Sequence, residues 1–113
     1  TLRLTRRERI RRRPEFLRVQ HGGVRTRGRY LTLFALPNDR DVSRLGVIAT
    51  RRLGNAAIRN RSKRQVREIF RLNKSRPGFD LVVLPRPGFS DVAFLTLQAD
   101  TYQLYGASSG PML

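Results

Sequence analysis

The sequence predicts a single domain of mixed α/β class, and three observations predict it. The chain has 113 residues, near the usual size of one compact core. Runs of β-forming residues alternate with clusters of turn residues. One long segment carries apolar residues at helical period, and two shorter segments carry helix start signals. At this length folding buries roughly 65% of the surface of the unfolded chain, so a core forms without covalent staples. Apolar residues, 39% of the chain, supply it.

The first element is a short helix over Pro14 to Gln20, because proline opens a helix without wasting an amide donor. His21-Gly22-Gly23 ends it, glycine reaching the left-handed cap conformation without strain. A weak strand covers Val24 to Arg27. Tyr30 to Leu36 is a stronger one, closed by the turn cluster Pro37-Asn38-Asp39, and Leu45 to Thr50 follows as its antiparallel companion. Asn55 to Asn73 is the longest helix: Ile58, Val66, Ile69, Phe70 and Leu72 fall on one arc, and Arg59, Lys63, Arg67 and Arg71 on the other, with Asn60 and Arg64 beside that cationic row. Phe79 to Leu84, between Pro77-Gly78 and Pro85, reads as a buried strand. Ser90 is placed to cap a last helix over Asp91 to Tyr105, with Val92, Leu95, Ala99 and Tyr102 inward. Residues 1–105 form the domain and 106–113 a flexible tail of small residues.

Charge narrows the function. Lys and Arg number 24 against 8 Asp and Glu, a formal net charge of +16. Self-repulsion on that scale opposes compaction, and a polyanion relieves it, so nucleic acid is the leading partner. The cations concentrate in Thr1 to Arg29 and in Arg51 to Arg76. Arginine supplies 22 of them, and its planar fork grips phosphate and stacks on bases, although genomic codon bias also raises arginine counts. Phe16 and Tyr30 are candidate platforms for unpaired bases, with core packing as the competing role.

Several classes of chemistry are excluded or thin. The chain has no cysteine, which removes disulfides, zinc-thiolate and iron-sulfur sites and thiol nucleophiles together. The single histidine, His21, reads as a helix-end residue, and Asp39 and Asp41 as turn formers. Two-metal nuclease chemistry needs converging carboxylates, and the acidic residues are scattered singly. The polypeptide is therefore expected to catalyse nothing itself and to hold no metal of its own. No apolar run approaches the ~18 to 20 residues of a membrane span, and an intracellular, cytoplasmic setting is expected.

Arg51 to Arg71, with its core Arg59-Asn60-Arg61 followed by Lys63-Arg64 and Arg67-Glu68, closely resembles the signature of the bacterial ribonuclease P protein family. Arg6-Arg7-Glu8-Arg9-Ile10, Glu15-Phe16, Arg44-Leu45-Gly46-Val47 and Phe79 to Val83 extend the resemblance to about residues 3–105. It implies an α+β two-layer sandwich in the order αβββαβα, with a left-handed crossover from the strand before the signature helix to the strand after it. It further implies that Arg51, Arg52, Asn55, Arg59, Asn60, Arg61, Lys63, Arg64 and Arg67 contact a catalytic RNA subunit. A cleft holding Phe16 would receive the 5′ leader of precursor tRNA. Mg²⁺ would act at the RNA, and no protein oligomer or membrane is required.

Two positions depart from the family pattern in the cleft, where Gln20 and Leu33 stand in place of aromatics. Tyr30 substitutes only if its side chain faces the cleft, which strand alternation does not decide. An RNA-packing protein of similar topology without a substrate cleft, and a protein-only nuclease, are the competing readings.

Overall fold

A computed structural model describes residues 5–72 and 78–108, with side chains of the last helix as far as Gln103. Its elements are α1 (Arg13–Gly22), β1 (Val24–Arg27), β2 (Leu31–Pro37), β3 (Arg44–Val47), α2 (Ala56–Arg71), β4 (Phe79–Pro85) and α3 (Phe94–Ser108). The order is αβββαβα, and the class is mixed α/β. Short 3-10 turns at Arg6–Glu8, Arg51–Leu53 and Phe89–Asp91 precede α1, α2 and α3.

The four strands form one sheet in the order β1-β2-β4-β3. β1 and β2 make an antiparallel hairpin, β2 and β4 are antiparallel, and β3 and β4 are parallel neighbours joined through α2. The expected pairing of β2 with β3 is therefore corrected: they run in opposite senses, but β4 lies between them. Both faces of β4 are thereby covered, which explains its apolar run Leu81-Val82-Val83. At the open edge of β3, Arg9 bridges Leu45 and the Ile10 amide donates to the Leu45 carbonyl at 2.9 Å. The basic N-terminal run thus includes a backbone rail along the sheet.

Alternation along the strands makes two cores. Leu31, Leu33, Ala35, Leu45, Leu81 and Val83 face α2 and α3, where Val66, Ile69, Phe70, Phe89 and Leu97 close the larger cluster. Phe34 and Val82 point the other way and pack with Ile10 and Val19 beneath α1. The sandwich of sheet against α2 and α3 holds most of the buried apolar surface, and α1 covers part of the opposite face.

Helix ends differ from expectation for local reasons. α1 stops at Gly23, whose backbone is extended rather than left-handed. The glycine is needed there for space, since a Cβ would stand 2.6 Å from the Val19 carbonyl oxygen and 2.8 Å from that of Ala35. α2 begins after Asn55, whose side chain accepts from the Ile58 amide at 3.0 Å as an N-cap. It ends before Leu72, which is 49% exposed and so leaves the expected apolar arc. Ser62 takes a fully buried place on that arc by donating its hydroxyl to the Ile58 carbonyl.

The last helix is shifted further. Phe89–Asp91 is a separate 3-10 turn, Val92 is extended, and α3 starts at Phe94. Val92 and Tyr102 pack against the core as expected, but Leu97 and Thr101 take the fully buried places, and Leu95 is left 75% exposed with Ala99 also at the surface. Ser90 is buried within the 3-10 turn and does not start the helix. The tail expected from Gly106 overlaps α3, which continues to Ser108; its remainder, and the expected helix end at Asn73, lie outside the described residues.

Candidate nucleic-acid interface

The signature segment forms a loop and a helix that brace one another. Leu53 is buried and anchors the 3-10 turn, which leaves Arg51 and Arg52 exposed. Gly54 follows at φ 135°, a conformation that L side chains rarely adopt, and Asn55 caps α2. Arg59 reaches back and donates to the Gly54 carbonyl at 2.9 Å, so its fork holds the loop to the helix. Asn60, Arg61 and Arg64 are exposed, and neither arginine enters an ion pair among the described residues.

The expected row of Arg59, Lys63, Arg67 and Arg71 is not uniform. Arg71 is engaged with Glu68 through a charge-assisted pair, its Nε donating at 2.9 Å. Lys63 and Arg67 instead turn toward the N-terminal rail and Arg9. Partial desolvation, and then the like charge of Arg9, hold the Arg67 guanidinium below its ordinary value. An anion between these cations would relieve that repulsion.

They border a groove across the β3 edge. One lobe, about 360 Å³, is lined by Arg9, Phe16, Gly46, Val47, Lys63 and Arg67 among others. A second lobe, about 470 Å³, is lined by Arg11, Arg13, Phe16, Leu17, Gln20 and Ile48 among others. Arg11, Phe16 and Val47 belong to both, so the half-buried phenyl ring stands where the lobes meet. The groove is apolar along its middle and cationic at its rims, which suits a single RNA strand whose bases touch the floor and whose phosphates meet arginine.

Gly46 makes room for the ring. A Cβ there would lie 2.4 Å from Phe16 Cε1 and 2.7 Å from Cζ. Strand alternation explains its direction: Leu45 belongs to the larger core, so Gly46 faces the α1 side.

A buried ionic cluster fixes α1 at this position. Asp80 is fully buried on β4, and Arg44 of β3 grips it with Nε at 2.8 Å and Nη2 at 2.6 Å. Asn38 donates to the same carboxylate at 2.8 Å. From α1, Arg18 donates to Asp80 at 2.9 Å, and Glu15 accepts from Arg44 Nη1 at 2.9 Å. Burial pushes the Asp80 carboxyl up, but the hydrogen bonds and charge of Arg44, with Asn38 and Arg18, outweigh it and leave the group below its usual range. The hydrogen bond from Arg44 likewise lowers Glu15. Residues 15 and 18 are thus clamped on either side of Phe16.

Of the four residues assigned to the cleft from sequence, the structure brings two together. Phe16 and Gln20 share the larger lobe, one helical turn apart. Leu33 is fully buried on the opposite face of the sheet, among the side chains under α2 and α3, and Tyr30 packs against that same core. Neither is a cleft residue. Arg9, Arg11, Arg13, Val47 and Ile48 line the groove and were missed as site residues. The alternation of Leu45-Gly46-Val47 and the basic run before Pro14 carried the only signal for them. His21 lies exposed in the last turn of α1, and Asp41 pairs with Arg7 at 3.0 Å on the surface.

The chain matches the Ribonuclease P family over residues 4–108. The ribonuclease P protein component of Thermotoga maritima is 45% identical over 89 residues, covering 77% of this chain and 76% of that protein. The corresponding component of Syntrophus aciditrophicus is 39% identical over 95 residues, covering 82% and 80%. Among solved structures, the Thermotoga maritima RNase P protein superposes with a TM-score of 0.78 at 40% identity, over 86% of this chain and 94% of that one. The Staphylococcus aureus RNase P protein gives 0.80 at 29% identity, over 88% and 94%.

Proposed function

The chain belongs to the ribonuclease P protein family, and from that premise we propose that it binds the catalytic RNA through Arg51 to Arg67 and the precursor tRNA leader through the groove at Phe16. The exposed face of Asn60, Arg61 and Arg64, with Arg51, Arg52 and Asn55 of the loop, holds structured RNA by its phosphates. Arg59 organises that loop. The groove receives a single strand, one base stacking on Phe16 and the flanking phosphates meeting Arg9, Arg11, Arg13, Lys63 and Arg67. By fixing the leader, the protein raises substrate affinity and leaves hydrolysis, which yields mature tRNA with a 5′ phosphate, to the RNA. The setting proposed is the cytoplasm, and no described helix is long and apolar enough to cross a membrane.

Mg²⁺ is assigned to the RNA in this reading. Among the described residues no three His, Asp or Glu side chains gather into a metal site, and Glu15, Asp41, Glu68 and Asp80 are each turned onto an arginine. Their donor set does not fit a divalent ion.

The observation that carries the proposal is the continuity of the groove with α2: Lys63 and Arg67 of the signature helix form one wall of the lobe that Phe16 closes. A leader strand and a catalytic RNA would therefore be held side by side. The test compares precursor with mature tRNA on the reconstituted holoenzyme. Phe16→Ala should weaken precursor binding about fivefold to a hundredfold, the value of one base stack, and leave mature tRNA nearly unchanged. Gln20→Phe should tighten precursor binding selectively. Arg61→Ala and Arg64→Ala should weaken assembly with the catalytic RNA while the fold survives. Equal losses for both tRNAs in folded Phe16→Ala would favour an RNA-packing role, and cleavage by the RNA-free protein would favour a protein-only nuclease.

A further inference from the structure

The β1 edge of the sheet and the neighbouring end of β4 carry a cationic cluster that neither the groove nor α2 uses. Arg25, Arg27, Arg29 and Arg86 are all exposed, and none enters an ion pair among the described residues. Arg25 and Arg27 stand two residues apart on β1, which puts them on one face of the sheet about 6.6 Å apart, comparable to the step between successive phosphates of an RNA strand. Arg86 leaves the end of β4 and is tied to the β1–β2 turn twice: its amide donates to the Tyr30 carbonyl at 2.9 Å, and its Nη1 to the Gly28 carbonyl at 3.2 Å. Arg27, Arg29 and Arg86 are thereby gathered around one turn whose backbone is fixed.

The position of that turn matters. Leu31 at the start of β2 pairs with Pro85 at the end of β4, and Val47 at the end of β3 pairs with Val83. The β1–β2 turn, Arg86 and the chain leading from β3 into Arg51 and Arg52 consequently leave the sheet at the same end. β1 and β3 lie at opposite edges, three strand spacings or about 14 Å apart, and Arg86 at the end of β4 stands between them. The cations thus follow one rim of the sheet, a span longer than one nucleotide and within reach of one RNA helix. The one aromatic at the turn, Tyr30, is partly buried and packs against the larger core. The turn is built for phosphates and not for unpaired bases.

We infer that Arg25, Arg27, Arg29 and Arg86 form a second RNA-docking surface, which takes the phosphate backbone of a duplex segment of the same catalytic RNA that binds Arg51 and Arg52. This rests on the proposed binding of α2 and its loop to that RNA. The rim then fixes the rotation of the protein on the RNA, which a single helix contact leaves free.

The experiment measures affinity of the full chain for catalytic RNA across a salt series, for Arg27→Ala/Arg29→Ala, for the same pair changed to Glu, and for Arg61→Ala/Arg64→Ala, with thermal unfolding as the folding check. The turn variants should lose about tenfold or more in affinity, and the slope of log K against log salt should become shallower by roughly 0.7 to 0.9 per phosphate contact removed. Arg27→Lys/Arg29→Lys should restore the slope. Turn variants that keep parental affinity and slope overturn the surface. Turn variants that assemble normally with the catalytic RNA and lose precursor affinity overturn the assignment of partner. A full loss in the turn variants with no loss in Arg61→Ala/Arg64→Ala sustains the surface and overturns the reading of α2, so the two failures are distinguishable.

Discussion

Gly46→Ala adds one methyl group beneath Phe16, and the structure sets its cost. The new Cβ would stand 2.4 Å from Cε1 and 2.7 Å from Cζ of the ring, and 3.1 Å from Ile10 Cβ. Carbon contacts relax at about 3.5 to 4.0 Å, so the ring has to withdraw by about 1 Å. Its open side is the groove, whereas Arg44, Asp80 and Glu15 hold the helix behind it. The ring therefore swings outward and fills the place of the stacked base. Overpacking of this kind costs roughly 1 to 3 kcal/mol of stability, and the displaced stack roughly 1 to 3 kcal/mol of precursor affinity. At tenfold per 1.4 kcal/mol, the second loss is about fivefold to a hundredfold. The assay is a double-mutant cycle: precursor and mature tRNA binding for Gly46→Ala, Phe16→Ala and the pair, with urea unfolding of each. Adding Gly46→Ala to Phe16→Ala should cost far less than in the parent, because the main clash partner is gone and only the 3.1 Å approach to Ile10 is left to relax. Additive losses, or a Gly46→Ala protein with parental precursor affinity, would refute the role of the glycine as the floor of the groove.

The remaining predictions concern the parts that hold the site in place. Asp80→Asn leaves the buried Arg44 guanidinium without its main counter-charge and should destabilise the fold by roughly 3 to 5 kcal/mol in denaturant titration; a loss under about 1 kcal/mol would show that the cluster does not clamp α1. Because the Asp80 and Glu15 carboxyls lie below their ordinary values of 3.8 and 4.5 in the folded state, their stabilisation is complete above those values and is lost as pH falls through the lower folded ones. Urea midpoints should stay level from pH 7 to about 5.5 and fall below about pH 4.5, and the fall should shrink in a Glu15→Gln protein. Asn55→Ala removes the α2 cap and should cost about 0.5 to 2 kcal/mol, read as a lower Tm, with RNA affinity reduced through the loosened loop.

What the sequence disclosed follows the physical range of each signal. Periodicity is local, so β1, β2, β4 and the cationic and apolar arcs of α2 were legible, and the resemblance to the ribonuclease P family supplied the element order. Pairing is not local. The chain cannot announce that β4, which comes after α2, inserts between β2 and β3, and from that insertion follow the separation of the two core clusters and the burial of Asp80. The α3 face was legible at Val92 and Tyr102 and not at Leu95 and Ala99, because an extended Val92 resets the helical phase after the Phe89–Asp91 turn, a backbone event that no side-chain pattern marks.

The cleft shows the same division. Phe16 and Gln20 are one turn apart on a helix, so their shared face was readable. Leu33 was placed by analogy of position and Tyr30 as an aromatic whose facing strand alternation does not decide, and the register that pairs Leu33 with Val83 puts Leu33 on the other side of the sheet. In their stead the groove is finished by residues with no aromatic signature: a glycine that opens space, aliphatic Val47 and Ile48 at the sheet edge, and the arginines of the basic run before Pro14. The backbone bond from Ile10 to Leu45 is what turns that run into a wall. With one aromatic in the groove, a base has one ring to stack on, and the neighbouring arginines and Lys63 are left to hold the rest of the strand by its phosphates. Leader binding should accordingly depend more on salt than on the identity of the bases, and replacing the leader with an abasic strand of equal length should retain most of the affinity that Phe16→Ala retains.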